Sequence, residues 1–436
     1  MKKFFSLTSF FALSVILFTG CQDRSDIAAP AAPSTGSANF TRYVAVGNSL
    51  TAGYQSGSLF ESAQKYSYAA LIARQTGTTF AFPNIGEPGT KGRIEVLSVS
   101  PFATYTNPNT GPLLNSTYPK PYNNLGVPGA LIYDFLNAYD SLSCFSAVFG
   151  GSPNPMFNIV LRNTGGSKLT QWQQLKAQQP TFVTFWLGSN DILGHAAAGG
   201  TVPYTPVPTF TALYNQAMDS LKTLGAPVAV ANILDVTVAA YFTTVGGQLR
   251  QQGVNAIWGV KGTGDTIPMS LTSNLLTLTA QAELAAGKGL SKANPVSNRF
   301  ILDSAEIVTV KSVIAQYNTV IQAAATAKDF AYVDAHALLQ QIAIAYATSG
   351  GYKVDGVNFT PVFVTGNLFS LDGVHPTSQA HGLVANAFIT AINNKYNAKI
   401  PLVNVSSIPG SLIFKGQPNG IVKPDYTPDT FKHILF

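Results

Sequence analysis

The sequence has few cysteines and few charged side chains, and both shortages limit what the protein can be. Only Cys21 and Cys144 occur among 436 residues, so we expect no disulfide framework. Charged residues make up 11% of the chain, against about 25% in ordinary soluble proteins. The lysines and arginines are scattered, without the basic run that binds nucleic acid. We therefore expect no nucleic-acid partner.

Motifs of two common hydrolase classes are also missing. No Gly-x-Ser-x-Gly occurs, which argues against the nucleophile elbow of α/β-hydrolases. No His-Glu-x-x-His occurs, and the five histidines are dispersed, so the pattern predicts no metal cluster. We expect the protein to work without a metal or any other cofactor.

The first twenty residues are typical of a secretory signal peptide. Two lysines precede an apolar stretch over 4–18, which is too short to cross a bilayer comfortably. Residues 1–20 are therefore predicted to be removed on export. The following stretch, 22–39, is rich in Ala, Pro, Ser and Thr, which is typical of a flexible tether.

The residues around Cys21 resemble the bacterial lipobox, in the form Phe18-Thr19-Gly20-Cys21. The resemblance implies cleavage before Cys21 and lipid attachment to it, with residues 21–39 as lipidated cysteine and tether. Gln22, rather than aspartate, follows the cysteine, as in Gram-negative lipoproteins of the outer membrane. We thus expect a membrane-anchored protein, the alternative being an ordinary signal peptide with an incidental cysteine.

The rest of the chain alternates between apolar runs and amphipathic stretches. This alternation predicts a parallel sheet covered by helices on both faces, in one domain over 40–399 with an insertion at about 236–300 and a tail over 400–436. The predicted strands are 42–46, 182–187, 228–233 and 330–333. The predicted helices are 66–75, 130–138, 168–177, 209–224, 306–328, 336–347 and 376–393.

Three turns are predicted at the ends of successive strands, at Ser49, Gly126 and Asn190. The first lies in the stretch Val44-Ala45-Val46-Gly47-Asn48-Ser49-Leu50-Thr51-Ala52-Gly53. Because parallel strands end at one edge of a sheet, where ligands bind in open α/β folds, these residues can converge. An alternative interpretation remains open, in which Gly, Asn and Ser occur here only because they form turns and have no role in catalysis.

These residues and one later pair could together hydrolyse an ester. Ser49 could be the nucleophile, and Asp372 and His375 are three positions apart, so the carboxylate could orient the imidazole as general base. The backbone N–H groups of Ser49 and Gly126 and the side-chain amide of Asn190 could stabilise the oxyanion.

The same blocks, in the same order, resemble the SGNH hydrolase superfamily, also called GDSL lipases and esterases. They stand here as Gly47-Asn48-Ser49-Leu50, Asn124-Leu125-Gly126, Gly188-Ser189-Asn190-Asp191 and Asp372-Gly373-Val374-His375. The resemblance covers roughly residues 40–395. It implies a three-layer α/β/α, flavodoxin-like fold with a central parallel sheet and serine hydrolysis of carboxylic esters, with the large loop insertions as this chain's own feature.

The chain departs from the family pattern in two ways. Asn48 replaces the usual aspartate before the serine, although asparagine makes similar turn hydrogen bonds. About 180 residues separate Asn190 from Asp372, far more than in compact relatives, so the cleft is expected to be reshaped. The apolar insertion favours ester substrates with apolar acyl chains.

Several alternatives remain at this point. The substrate could be an acylglycerol, a phospholipid, a short-chain ester or an acetylated carbohydrate, and the fold could also serve a non-catalytic binding or surface lipoprotein. Asp334 and His336 could be an alternative pair, with His336 as the general base and Asp334 as the carboxylate that orients it. His195 could line the cleft. His381 is interpreted as a packed or surface histidine.

Overall fold

The computed structural model of the chain describes residues 33–416. The strands in chain order are β1 (Tyr43–Gly47), β2 (Arg93–Val99), β3 (Phe102–Asn107), β4 (Asn124–Gly126), β5 (Phe182–Trp186), β6 (Val228–Ala231), β7 (Ala256–Val260), β8 (Thr266–Ser270), β9 (Leu275–Leu276), β10 (Ile301–Leu302), β11 (Ala331–Val333), β12 (Tyr352–Val354) and β13 (Val357–Phe359).

The α-helices in chain order are α1 (Ser49–Ala52), α2 (Glu61–Gln64), α3 (Tyr68–Gln75), α4 (Asp134–Asn137), α5 (Phe145–Gly150), α6 (Met156–Leu161), α7 (Gln171–Ala177), α8 (Asn190–Ala197), α9 (Val207–Lys222), α10 (Ala240–Gln251), α11 (Ala280–Ala285), α12 (Ser304–Ala327), α13 (Ala335–Ser349) and α14 (Ser378–Tyr396).

A five-stranded parallel sheet forms the centre of the fold, in the order β11-β6-β5-β1-β4. Numbered along the chain, its strands stand in the order 2-1-3-4-5 or its reverse, which is the flavodoxin-like order. Neighbouring crossovers run in opposite directions at β1, so β1 lies at the topological switch point, where ligands bind beyond the strand ends. The predicted fold class is confirmed.

The side chains of β1 alternate between the two faces of the sheet, as the two-residue period of a strand requires. Val44 and Val46 pack into one apolar cluster, whereas Tyr43 and Ala45 pack into a second cluster on the other face. All four are fully buried, which is why the whole run reads as apolar in the sequence. The sheet is therefore the middle of three layers.

The predicted helix over 130–138 is wrong in extent, since only the single turn α4 forms there. The Asp134 carboxylate accepts hydrogen bonds from the N–H groups of Leu131 (2.8 Å) and Phe145 (2.7 Å). An acidic side chain that satisfies backbone groups in this way favours turns over a continuing helix. The predicted insertion over 236–300 contains α10, the β7–β8 hairpin and α11, packed around a small apolar core of their own.

The predicted tether is also too long at its C-terminal end. Ser34 pairs with Lys399, and the Ser37 N–H donates to the carbonyl of Tyr396 at 2.9 Å. Ala38 is buried in the second apolar cluster, so residues 34–39 belong to the domain because their backbone and apolar side chains find partners there. The predicted signal peptide, Cys21 and the rest of the tether lie outside the described residues, apart from Pro33.

Part of the predicted tail packs on the domain. Val405, Ile408 and Ile413 are buried, and the Ile413 carbonyl accepts a hydrogen bond from Val96 N–H in β2 at 2.7 Å. Within residues 33–416, no helix is long and apolar enough to cross a membrane.

Candidate active site

Ser49 lies immediately beyond the end of β1, as the first residue of the short helix α1. The Asn48 side chain caps this helix by accepting a hydrogen bond from Leu50 N–H at 3.1 Å, so asparagine performs the capping without a charge. Gly47 is needed at the strand end, because a Cβ there would lie 2.7 Å from the Trp186 carbonyl oxygen. This turn holds Ser49 at the switch point of the sheet.

Ser49, His375 and Asp372 form a continuous line of hydrogen bonds. His375 Nε2 lies 2.9 Å from Ser49 Oγ, and His375 Nδ1 lies 2.9 Å from Asp372 Oδ2. The hydroxyl and the carboxylate are thus on opposite nitrogens of one imidazole. A neutral ring that donates through Nδ1 to the carboxylate keeps Nε2 as the acceptor facing the hydroxyl, as a general base requires.

The Asp372 carboxylate is held ionised by its partners. Burial opposes ionisation, but His375 attracts the charge and hydrogen bonds stabilise it, so that the pKa of Asp372 is lowered to about 2. Oδ1 accepts from the backbone N–H groups of Val374 and His375, each at 2.9 Å, and Oδ2 also accepts from Gly57 N–H at 3.0 Å. The carboxylate is therefore fixed in both orientation and charge.

Asn190 is the first residue of α8 and lines the same pocket as Ser49 and His375. Its Nδ2 donates to the carbonyl of Ala130 at 2.9 Å, which uses one of the two hydrogens of the amide. The other hydrogen remains for a ligand in the pocket. The structure therefore brings four of the predicted site residues, Ser49, His375, Asp372 and Asn190, to one edge of the sheet.

The structure does not place Gly126 as predicted. Its N–H donates to Asn124 Oδ1 at 2.9 Å, and the residue is buried within β4. A Cβ on it would lie 2.5 Å from the backbone nitrogen of Ala52, so glycine is needed for close approach of the chain. The prediction that its N–H faces the oxyanion is wrong because that donor already has a partner.

A second glycine, Gly129, lies in the loop that follows β4. It is exposed, has φ +82°, and its N–H donates to no acceptor within residues 33–416. The next residue, Ala130, contacts the Asn190 amide, which places Gly129 beside that amide. Gly129 was not predicted as a site residue, although a glycine after a proline, as at Pro128, is a common turn signal.

Two buried carboxyl groups shape this loop, and neither was predicted. Asp191 Oδ2 accepts from Ile132 N–H at 3.0 Å, and its Oδ1 accepts from the hydroxyl of Thr205 at 2.8 Å. Burial raises the pKa of Asp191 to about 7 and that of Asp134 to about 6, despite the hydrogen bonds that lower both. Asp191 ties the loop to α8, and Asp134 ties it to the start of α5.

None of the other histidines within residues 33–416 lines the Ser49 pocket. His195 Nδ1 lies 2.6 Å from the Val202 carbonyl oxygen, and His336 Nδ1 lies 3.1 Å from that of Ile233. Asp334 caps α13 through Ala337 N–H rather than orienting His336. In the part of the chain that the structure describes, no group of three or more potential metal ligands comes together.

His381 is fully buried and stacks against Tyr68. Its Nδ1 lies 3.4 Å from Tyr68 N–H, and its Nε2 has no hydrogen-bond partner among the described residues. Burial, aided by repulsion from His375, lowers the pKa of His381 from 6.5 to about 3. The ring is therefore neutral in the folded protein over most of the pH range.

We expect His381 to make the protein sensitive to acid. The full contribution of this residue to the unfolding free energy is present above pH 6.5 and is lost as the pH falls towards 3. Between these pH values His381 is protonated in the unfolded chain but not in the folded chain, so acid favours unfolding. Between these limits, wild type should lose about 5 kcal/mol more unfolding free energy than His381→Gln, at about 1.4 kcal/mol per pKa unit. Urea unfolding at several pH values measures the difference. Equal pH slopes for the two proteins would contradict the assignment.

The sequence matches the family GDSL-like Lipase/Acylhydrolase over residues 43–388, and no curated protein sequence matches it. Among solved structures, an α/β hydrolase enzyme from the metagenome of Lake Arreo, Spain, aligns with 82% of this chain and 96% of its own, at 12% identity and a TM-score of 0.36. An acetylxylan esterase from Geobacillus stearothermophilus aligns over the same shares, at 12% identity and a TM-score of 0.35. The matched family range contains Ser49, Asn190, Asp372 and His375.

Proposed function

Since this chain belongs to the GDSL-like lipase and acylhydrolase family, we propose that it hydrolyses carboxylic esters through Ser49, His375 and Asp372. The observation that carries the proposal is the line of two 2.9 Å hydrogen bonds from hydroxyl to imidazole to carboxylate. These groups are nucleophile, base and orienter in the order that acyl transfer needs.

The proposed reaction has two steps. Ser49 Oγ attacks the ester carbon while His375 Nε2 takes the hydroxyl proton, and the tetrahedral intermediate collapses when His375 gives that proton to the leaving alcohol. Water then attacks the acyl-enzyme in the same way, which releases the carboxylic acid and restores the Ser49 hydroxyl. Asp372 keeps the imidazole oriented and stabilises its positive charge in both steps.

We assign the oxyanion to three donors: the backbone N–H groups of Ser49 and Gly129 and the side-chain amide of Asn190. The Ser49 N–H is the first in α1, so it has no carbonyl acceptor within that helix. Gly129 and Asn190 have donors free, as described above. Donors fixed in advance lower the barrier because they need not reorient as charge develops.

Replacing Asn190 with alanine tests this assignment. The kcat for ester hydrolysis should fall by about 10²- to 10³-fold, the usual cost of one oxyanion donor, with a small change in KM. Asn137→Ala is a matched control, because Asn137 Nδ2 also donates to a backbone carbonyl of this loop, that of Tyr133 (2.8 Å), but Asn137 does not line the pocket. An equal loss in both variants would show that Asn190 only holds the loop.

The proposed function as a whole is tested by labelling the full-length protein with a fluorophosphonate, followed by mass spectrometry. We expect one adduct on Ser49, absent from His375→Ala, because only a serine activated by a base reacts with such probes. A folded protein that is not labelled would instead be a binding or surface protein on the same fold. An adduct on another serine would overturn the assignment of the nucleophile.

We also propose that lipid on Cys21 holds the enzyme at the outer membrane of a Gram-negative bacterium. The sequence Phe18-Thr19-Gly20-Cys21 supports this proposal. Cys21→Ser should move the protein from the membrane fraction to the soluble fraction of cells. Retention of that variant in the membrane fraction would contradict the proposal.

A further inference from the structure

A second cavity adjoins the Ser49 pocket, between α13 and α14. Fourteen residues line it, and all of them are apolar. We call it the α13–α14 chamber. It shares four lining residues with the Ser49 pocket, namely Leu234, Leu339, Phe369 and Val374. The two spaces are therefore neighbours, and these four side chains are part of the wall of both.

The loop that carries Asp372 and His375 forms part of this wall. Phe369 pairs with Pro376 across the loop, and Ser370 N–H donates to the carbonyl of His375 at 2.8 Å. His375 lines the Ser49 pocket and Pro376 lines the chamber, while Phe369 and Val374 line both. The same short loop thus orients the base and bounds an apolar space.

The chemistry of the chamber restricts what can occupy it. The side chains that line the chamber but not the Ser49 pocket include Leu338 and Ile342 of α13 and Ala380, Leu383 and Ala387 of α14. A cavity with such a lining offers water no hydrogen-bond partner and readily takes hydrocarbon. We propose that the α13–α14 chamber receives the apolar acyl chain of the substrate, an inference that rests on the proposed ester hydrolysis.

The acyl chain fits this place better than the alcohol for a mechanistic reason. The leaving alcohol takes its proton from His375, and the water of the second step must then occupy the same position. The alcohol side must therefore be open to water, which an entirely apolar chamber does not supply. The acyl chain remains bound through both steps and needs no exchange.

The size of the two spaces sets the expected chain length. Each has a volume of about 40 Å³, enough for about three water-sized groups, since one such group needs roughly 10–15 Å³. Together they hold about six such groups, of which the ester group in the Ser49 pocket takes a part. We therefore expect esters of medium-chain acids, hexanoic acid among them, to be better substrates than acetate esters.

Two isomeric esters separate the acyl side from the alcohol side. Ethyl hexanoate and hexyl acetate have the same atoms, but only the first has a long acyl chain. The full-length protein should hydrolyse ethyl hexanoate with a kcat/KM about tenfold or more above that of hexyl acetate, since each buried methylene is worth about fourfold. The opposite preference, or none, would overturn the proposal.

Variants in the chamber test its location. Ala387→Leu adds bulk at a half-buried position, and it should lower kcat/KM for 4-nitrophenyl octanoate at least tenfold more than for the acetate. Leu338→Ala enlarges the chamber and should shift the best chain length upward. Ala323→Leu makes the same change as Ala387→Leu on an exposed position of α12, and it should keep the wild-type profile. Identical profiles in all four proteins would overturn the proposal.

Binding of octanoate to Ser49→Ala, measured by calorimetry, separates failure of this inference from failure of the proposed function. We expect binding that weakens about tenfold when Ala387→Leu is added. If Ser49 is labelled and acetate esters are cleaved but octanoate does not bind, the chamber proposal is wrong and the hydrolase proposal stands. If octanoate binds as expected but no ester is cleaved, the hydrolase proposal fails. The chamber would then bind a fatty acid but not the acyl chain of a substrate.

Discussion

Ser49→Ala is expected to lower kcat for ester hydrolysis by about four to six orders of magnitude, because it removes the nucleophile while the oxyanion donors and the pocket remain. The fold should be unaffected, since the Ser49 hydroxyl has His375 as its one side-chain partner among the described residues. Steady-state kinetics with 4-nitrophenyl butyrate and thermal unfolding of the same samples measure the two effects.

Two further variants sharpen this experiment. The double variant Ser49→Ala, His375→Ala should be no slower than either single variant, since residues that act as a unit are not additive. Ser189 lines the same pocket and its buried hydroxyl has no partner in the described part of the chain. Ser189→Ala should keep at least about a tenth of the turnover. A loss in Ser189→Ala as large as in Ser49→Ala would show that the nucleophile is wrongly assigned.

Asp372→Asn is expected to lower kcat by about 10⁴-fold at neutral pH, through the wrong imidazole tautomer. If the amide oxygen keeps the hydrogen bonds from Val374 and His375 N–H, the amide nitrogen must face Gly57 N–H and His375 Nδ1. A donor in that place forces Nδ1 to accept and moves the proton to Nε2. The imidazole then cannot take the proton of Ser49.

A matched control for this change is available in the chain. Asp334→Asn makes the same substitution at another Asp that lies close to a histidine in sequence, where the carboxylate caps α13. Turnover should stay within about threefold of wild type, because that aspartate does not reach the Ser49 pocket. Equal losses in the two variants would point to a general effect of carboxylate removal. Proton NMR of the Nδ1 hydrogen of His375 reports the tautomer directly.

The sheet and the residues around Ser49 were the most predictable parts of the molecule. Fully buried strands such as Phe182–Trp186 read as apolar runs, and their order follows from alternation with helices. The convergence of Ser49 and Asn190 follows from one rule, that parallel strands end at a common edge. No knowledge of side-chain packing was required for these predictions.

The segment that contains Gly126 and Gly129 was predicted less well, and the reason is physical. Gly126 and Gly129 look alike in sequence, but the first is needed for close backbone approach and the second for a positive φ. Which N–H is free depends on whether Asn124 captures it, and only the folded chain shows that. The buried carboxyls of Asp134 and Asp191 are hidden for the same reason, since burial is a property of the assembled loops.

The α13–α14 chamber was also out of reach of sequence analysis. Each of its lining residues has a place in an ordinary amphipathic pattern, for example Leu338 and Ile342 at helical spacing. Whether two such faces meet tightly or leave a space depends on side-chain volumes at positions far apart in the chain. The apolar insertion gave an expectation of apolar acyl chains, and Val236 and Ala239 from its start do line the Ser49 pocket.

The pairing of the two ends of the domain bears on when the molecule becomes active. Ser37 Oγ donates to the Tyr396 carbonyl across 359 positions of sequence, and Ser49 and His375 are 326 positions apart. Contacts so remote in the chain carry a high cost of loop closure and form slowly. When three quarters of the chain have been synthesised, Ser49 is therefore present but His375 is not. We expect ester hydrolysis to appear only when synthesis is nearly complete and the last helix has docked.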